Sequence, residues 1–176
     1  MLFRSSVSQW ADKSGNGNHA IQGALSKMPS YLASNCSISF DGNDDFLETT
    51  GFNPSGPMTI YGVFANAREV LPVEGAFIDV VATISTGNTS GWTLETFNTW
   101  SSRSSRKVYL YGVGTSSSVD RQTNGPAGQN NLTPNNFVVV SGTMNAASGQ
   151  GPLTFGSYVN RQYYGKNLIR EFIICP

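Results

Sequence analysis

Asp41, Asp44 and Asp45 are the densest carboxylate cluster in the chain, lying within Ile38-Ser39-Phe40-Asp41-Gly42-Asn43-Asp44-Asp45-Phe46-Leu47. Calcium takes about six to eight oxygens, typically from two or more carboxylates with carbonyls. Asn43 could add an amide oxygen, and Asp12 or Asp79 a further carboxylate. The plainer reading, which we favour, is that Asp41-Gly42 makes a turn while Asp44 and Asp45 stay solvated. The aromatic residues offer a second chemistry. Sugar recognition needs rings beside amides or carboxylates in a shallow site. Trp100 follows Asn98 and leads into a serine-rich loop, and Tyr163-Tyr164 form a second candidate platform. Rings in a β-protein are more often core than platform. His19 is the sole histidine. No serine or cysteine nucleophile motif accompanies it, so a structural role is expected.

Around His19 the residues read as architecture. In Trp10-Ala11-Asp12-Lys13-Ser14-Gly15-Asn16-Gly17-Asn18-His19-Ala20, the glycines and asparagines permit positive backbone dihedrals, which points to a tight double turn. Asp12 and Ser14 can accept hydrogen bonds from nearby backbone N–H groups. Trp10 and Ile21 would anchor the turn to a core.

Composition narrows the class. With 176 residues the chain is read as one domain, 1–176, long enough for a single good core. Only 12% of residues are charged, against a usual share of about 25%. Eleven acidic residues balance eleven basic ones, which leaves no basic stripe to release counterions from phosphates, so no nucleic-acid partner is expected. Arg103, Arg106 and Lys107 read as a solvated loop running into a strand. No segment approaches membrane-spanning length and Met-Leu-Phe-Arg-Ser-Ser lacks a signal-peptide apolar run, so no membrane association is expected either. Cys36 and Cys175 do not make a disulfide framework. Two free buried thiols are expected, with a bridge between terminal strands as the alternative. No cysteine or histidine group has zinc spacing.

The elements that must position these residues are strands. Segments 37–49, 58–65, 77–84, 91–97, 107–113, 136–144, 153–159 and 168–175 are rich in β-branched or aromatic residues, with Gly/Pro turn clusters between them, as in a sandwich or barrel. Met58, Ile60 and Phe64 alternate with Tyr61 and Val63, so this strand is apolar on both faces. It is expected to be central, or to meet another subunit. In Leu168-Ile169-Arg170-Glu171-Phe172-Ile173-Ile174 strict alternation puts Arg170 and Glu171 on opposite faces. One of them is therefore expected near a sheet edge.

The ordered series of Trp10, the Gly/Asn turn, Pro29 and the Phe40-Asp41-Gly42 element resembles the start of the concanavalin A-like lectin/glucanase superfamily, in its laminin-G-like jelly-roll branch. Later segments resemble that family as well: Met58–Ala65, Gly91-Trp92-Thr93-Leu94-Glu95, Phe155-Gly156-Ser157, and the closing Tyr164–Ile174. Two departures stand out. The hairpin strand expected before Phe155 is replaced by residues 145–151, and no helical tail follows Ile174, so the chain reads as a trimmed version.

The resemblance implies an all-β, two-sheet antiparallel jelly-roll sandwich. An enzyme of this family would be a retaining glycoside hydrolase, with two carboxylates about 5 Å apart projecting from alternate strand positions. Glu95 stands alone on its strand, and Glu69 and Glu74 flank a proline-containing loop, so no catalysis is expected. Calcium at Asp41, Asp44 and Asp45 is what relatives with a loop-rim site would imply. The resulting expectation is a non-catalytic surface or structural protein of a bacteriophage virion, in capsid decoration or a tail or head fibre. Its partners would be other virion proteins and copies of itself as a homo-oligomer, with host cell-surface glycans a further candidate. The alternative is a secreted bacterial carbohydrate-binding module of a larger enzyme.

Overall fold

In the computed structural model the described residues are 5–52, 56–67, 77–86, 89–98, 106–112, 135–146, 151–158, 161 and 163–175. They form thirteen strands and one short 3-10 turn (Leu25–Lys27), with no α-helix among them. The strands are β1 (Ser5–Ser6), β2 (Gln9–Trp10), β3 (Ala20–Ile21), β4 (Ser30–Leu32), β5 (Ser37–Ser39), β6 (Leu47–Thr49) and β7 (Gly56–Asn66). They continue as β8 (Phe77–Thr86), β9 (Thr89–Asn98), β10 (Arg106–Gly112), β11 (Val138–Ala146), β12 (Leu153–Phe155) and β13 (Asn167–Cys175). Two sheets result, ordered β1-β4-β5-β13-β7-β11 and β10-β9-β8-β12-β6-β3-β2, with every recorded pairing antiparallel.

One core lies between the sheets. The six-stranded sheet contributes Ile38, Met58, Ile60, Phe64 and Ile169, and the seven-stranded sheet contributes Ala20, Leu47, Ala82, Leu153 and Phe155. Phe155 links the layers, because its ring packs on Trp10 of β2 and edge-on against Phe172 of β13. This is the sandwich solution for two half-apolar sheets.

The segment 37–49, expected as one strand, is two strands in different sheets. β5 pairs with β13 and β6 with β12, and residues 40–46 carry the chain across. The break comes from Asp41-Gly42: Gly42 sits at φ 80°, which extended backbone cannot accommodate. The segment 153–159 is likewise shorter, for Gly156 at φ 80° ends β12 after Phe155.

β7 is central, flanked by β13 and β11, and its two apolar faces have different fates. Met58, Ile60 and Phe64 are buried, whereas Tyr61 is exposed on the other side. In β13 a bulge between Ile169 and Glu171 inserts Arg170 as the extra residue. The bulge switches the side-chain parity, so that Ile169 opposite Phe64 and Ile174 opposite Ile60 share the inner face. Arg170 and Glu171 are consequently both exposed, and neither needs a partner in the core.

The two cysteines are free, as expected, but both are exposed rather than buried. Cys36 precedes β5, which pairs with the start of β13, while Cys175 lies at the far end of β13 opposite Thr59. At about 3.3 Å per residue the two are more than a disulfide span apart.

Phe40 is fully buried, and a Cβ added to Gly156 would fall inside van der Waals contact with its ring. Gly156→Ala therefore combines left-handed backbone strain with overpacking and should destabilise the fold by about 2–4 kcal/mol. Chemical denaturation against the parent chain measures this. A loss under about 1 kcal/mol would show that the Phe40 ring can move aside.

Candidate functional site

The first turn is built around Asp12. Its carboxylate accepts from the Ser14 N–H (2.8 Å), the Ser14 hydroxyl (2.8 Å) and the Asn18 N–H (3.0 Å). Gly15 and Gly17 supply the positive φ values that let the chain wrap around it. The Asp12 N–H donates to His19 Nδ1 at 3.0 Å, so the sole histidine closes a turn between paired strands β2 and β3. The Ser14 and Asn18 hydrogen bonds hold the Asp12 carboxyl below its ordinary value of 3.8.

The acidic cluster is a second such turn. The Asp41 carboxylate accepts from the N–H (2.8 Å) and side-chain amide (3.1 Å) of Asn43 and, at 3.4 Å, from the Asp44 N–H. The buried Asp45 in turn accepts from the Asp41 N–H at 3.1 Å. One carboxylate oxygen from each of Asp41, Asp44 and Asp45 lies within 4.8 Å of the others. Burial pushes the Asp41 carboxyl up, but the donors from Asn43, Asp44 and Asp45 outweigh it and leave the group lowered. These hydrogen bonds give the Asp41-Gly42 turn of the plainer sequence reading, but Asp45, expected to stay solvated, is buried. A calcium ion would share oxygens that already accept.

Gly156–Tyr158 and Tyr163–Gly165 pair antiparallel, as the two arms of a hairpin that carries the candidate tyrosines. Gly165 N–H donates to Gly156 O (2.8 Å) and Tyr158 N–H to Tyr163 O (3.0 Å). Tyr163 is 53% exposed and meets the Tyr158 ring edge-on, whereas Tyr164 is half-buried and bridges Ser157. Arg161 pins this hairpin to the seven-stranded sheet, a role that nothing in its sequence context signals. From a left-handed backbone (φ 58°) its guanidinium donates to Glu48 Oε2 and Ser157 Oγ and lies 3.7 Å from the centre of the Phe46 ring. Glu48 Oε2 accepts from the Thr154 hydroxyl as well (3.0 Å). Phe46 directly follows Asp45, so Arg161 joins the acidic turn to the tyrosine hairpin.

Trp100 lies outside the described residues. Asn98 is placed by its backbone at the end of β9, in register with Phe77 and Arg106, and so is Glu95, opposite Val80 and Tyr109. The structure thus brings Asp41, Asp44 and Asp45 near the Tyr163 hairpin, and nothing described unites them with Asn98. Compared with known proteins, the chain matches no family model, no curated protein and no solved structure.

Asp12 and Asp41 both bind a proton more weakly when folded than when unfolded. Their contribution to stability is therefore complete only well above the ordinary carboxyl value of 3.8 and is lost as the pH falls through that value to the lowered folded-state ones. Thermal melts between neutral and acidic pH should show Tm falling through this window, and Asp41→Asn should flatten that fall. Adding millimolar calcium or a chelator at neutral pH should leave Tm unchanged. A rise with calcium would identify the cluster as a cation site.

Proposed function

We propose that this chain is a non-catalytic structural component of a virion surface, of the concanavalin A-like jelly-roll type, held in place by the outer face of its six-stranded sheet. The virion assignment rests on the sequence resemblance. The packing role rests on one structural observation, the register of apolar residues on that face. Tyr61 stands opposite Ile173, and Val63 opposite Val139. Tyr61 and Ile173 are each 43% exposed and Val139 is 73% exposed. Directly opposed residues on adjacent strands share a face, so these four side chains lie on one face across β11, β7 and β13, with Glu171 and Ser141 completing the two rows. A neighbouring virion protein or another copy of the chain would cover these side chains on assembly.

The mechanism is association rather than reaction. The buried inner face keeps the sheet rigid, and the apolar outer face gains free energy when a partner removes it from water. Changing Tyr61→Glu together with Ile173→Lys should leave Tm nearly unchanged, since neither side chain is in the core. The same double variant should lose assembly, seen as a lower sedimentation coefficient or as absence from particles by immunogold labelling. If purified particles contain none of this chain, the virion reading fails.

The exposed Tyr163 favours a second reading, adhesion to host glycans, because its ring meets solvent while resting edge-on against Tyr158. Tyr163→Ala should then reduce binding on a glycan array by about tenfold. Unchanged binding would remove the tyrosine hairpin from the adhesive surface.

A further inference from the structure

The bulge in β13 leaves Arg170 and Glu171 side by side, and both are exposed. By register Glu171 belongs to the outer face of the six-stranded sheet. It stands opposite Val63, and Ile173, two residues further along, stands opposite Tyr61. Val139 of β11 flanks Val63 on its other side. A carboxylate therefore sits among apolar side chains, and among the described residues no hydrogen bond or ion pair engages it.

Arg170 supplies the opposite charge from a fixed position. Its Nε donates to the Asn35 carbonyl (2.8 Å), and its guanidinium lies 3.6 Å from the centre of the Phe137 ring, at the entry to β11. Held there, it forms no ion pair with Glu171 of its own chain. Its terminal nitrogens keep their N–H donors, and such a fork matches a carboxylate with two parallel bonds.

These charges set a condition on whatever covers the face. A wholly apolar partner would strip water from Glu171 and leave it unpaired, a penalty that works against the gain from apolar contact. The partner must instead bring a cation to Glu171, an anion to Arg170 and apolar side chains beside them. The same face of a second copy carries all three. We propose that the partner is a second copy of this chain, packed sheet on sheet about a two-fold axis that runs in the face along β13. Such an axis keeps the charged ends of the two faces together, so Arg170 of each copy meets Glu171 of the other. The contact is thereby made twice, as isologous symmetry requires. The strands of the two sheets stay near alignment, a usual arrangement of stacked sheets. With eleven acidic and eleven basic residues, two copies also approach without net repulsion.

This dimer rests on the packing role proposed for the same face, yet it is tested apart from particles, by sedimentation velocity of the full chain. The parent should be dimeric at about 100 μM. Glu171→Arg and Arg170→Glu each set like charges together at both contacts, so each should weaken the dimer by about tenfold or more. Mixed in equal amounts, the two variants regain opposite charges at both contacts and should dimerise as the parent does. Glu171→Arg gives up no recorded contact within the monomer and should keep the parental Tm, so its loss of the dimer is not a loss of folding. A parent that is monomeric or trimeric at that concentration, a single variant that dimerises like the parent, or a mixture that stays monomeric would each overturn the proposal. A chain that is monomeric in solution but present on particles would overturn the dimer and leave the packing role standing with a different partner. A dimer that is absent from particles would support the dimer and remove the virion reading alone.

Discussion

Phe40 seated against Gly156 is the contact on which the rest of this structure depends. At Phe40 the chain leaves the six-stranded sheet, and at Gly156 it leaves the seven-stranded one. The Phe40 N–H donates to the Asn167 carbonyl (2.9 Å), which ties the same point to the start of β13. Because Gly156 has no Cβ, the ring and the backbone can approach closely enough for both sheets to close around them. The acidic turn begins one residue after Phe40, and the tyrosine hairpin begins at Gly156 itself. Both candidate ligand sites are therefore positioned by a single packing decision in the core.

Magnitudes separate what stabilises from what positions. Burying a Phe side chain contributes about 1.5–3 kcal/mol, and Phe40, Phe64 and Phe155 are all buried. The ion pair of Arg161 with Glu48 is partly exposed, and such pairs contribute only about 0–1 kcal/mol. Its stacking on Phe46 adds a similarly modest amount. Arg161 matters for where Tyr158 and Tyr163 sit rather than for whether the sheets fold. The Asp12 and Asp41 turns belong to the same class. Their hydrogen bonds lie near solvent and fix loop shape at little net gain.

Much of this architecture is legible in the sequence, and the exceptions have physical causes. The long strands β7, β9 and β13 announce themselves through runs of β-branched and aromatic residues, and their number and spacing give an all-β fold while leaving sandwich and barrel both open. The two- and three-residue strands β1 to β4 carry no detectable period, since their pairing is dictated by neighbours distant in the chain. Asp41, Asp44 and Asp45 are visible as a cluster, but residue types alone do not say that Asp41 is committed to the turn. The bulge at Arg170 is hidden because strict alternation assumes one residue per ladder position. Arg161 carries no signal at all: its importance arises from Glu48 and Phe46, more than a hundred positions earlier. The exposure of the two cysteines is equally invisible, as it follows from where β5 begins and β13 finishes.

The position of β13 has a consequence for biosynthesis. This strand, the last among those described, lies in the interior of its sheet, between β5 and β7. Until it leaves the ribosome, the inner faces of both neighbours have no strand between them, and Ile38 and Phe64 lack the side chain of Ile169 that joins them. The nascent chain must therefore hold most of its apolar strands in waiting and close the sheet after synthesis of residue 175. Such late closure exposes unfinished sheet edges during translation. For this protein, protection of those open edges before β13 emerges bears on how much of it reaches the folded state.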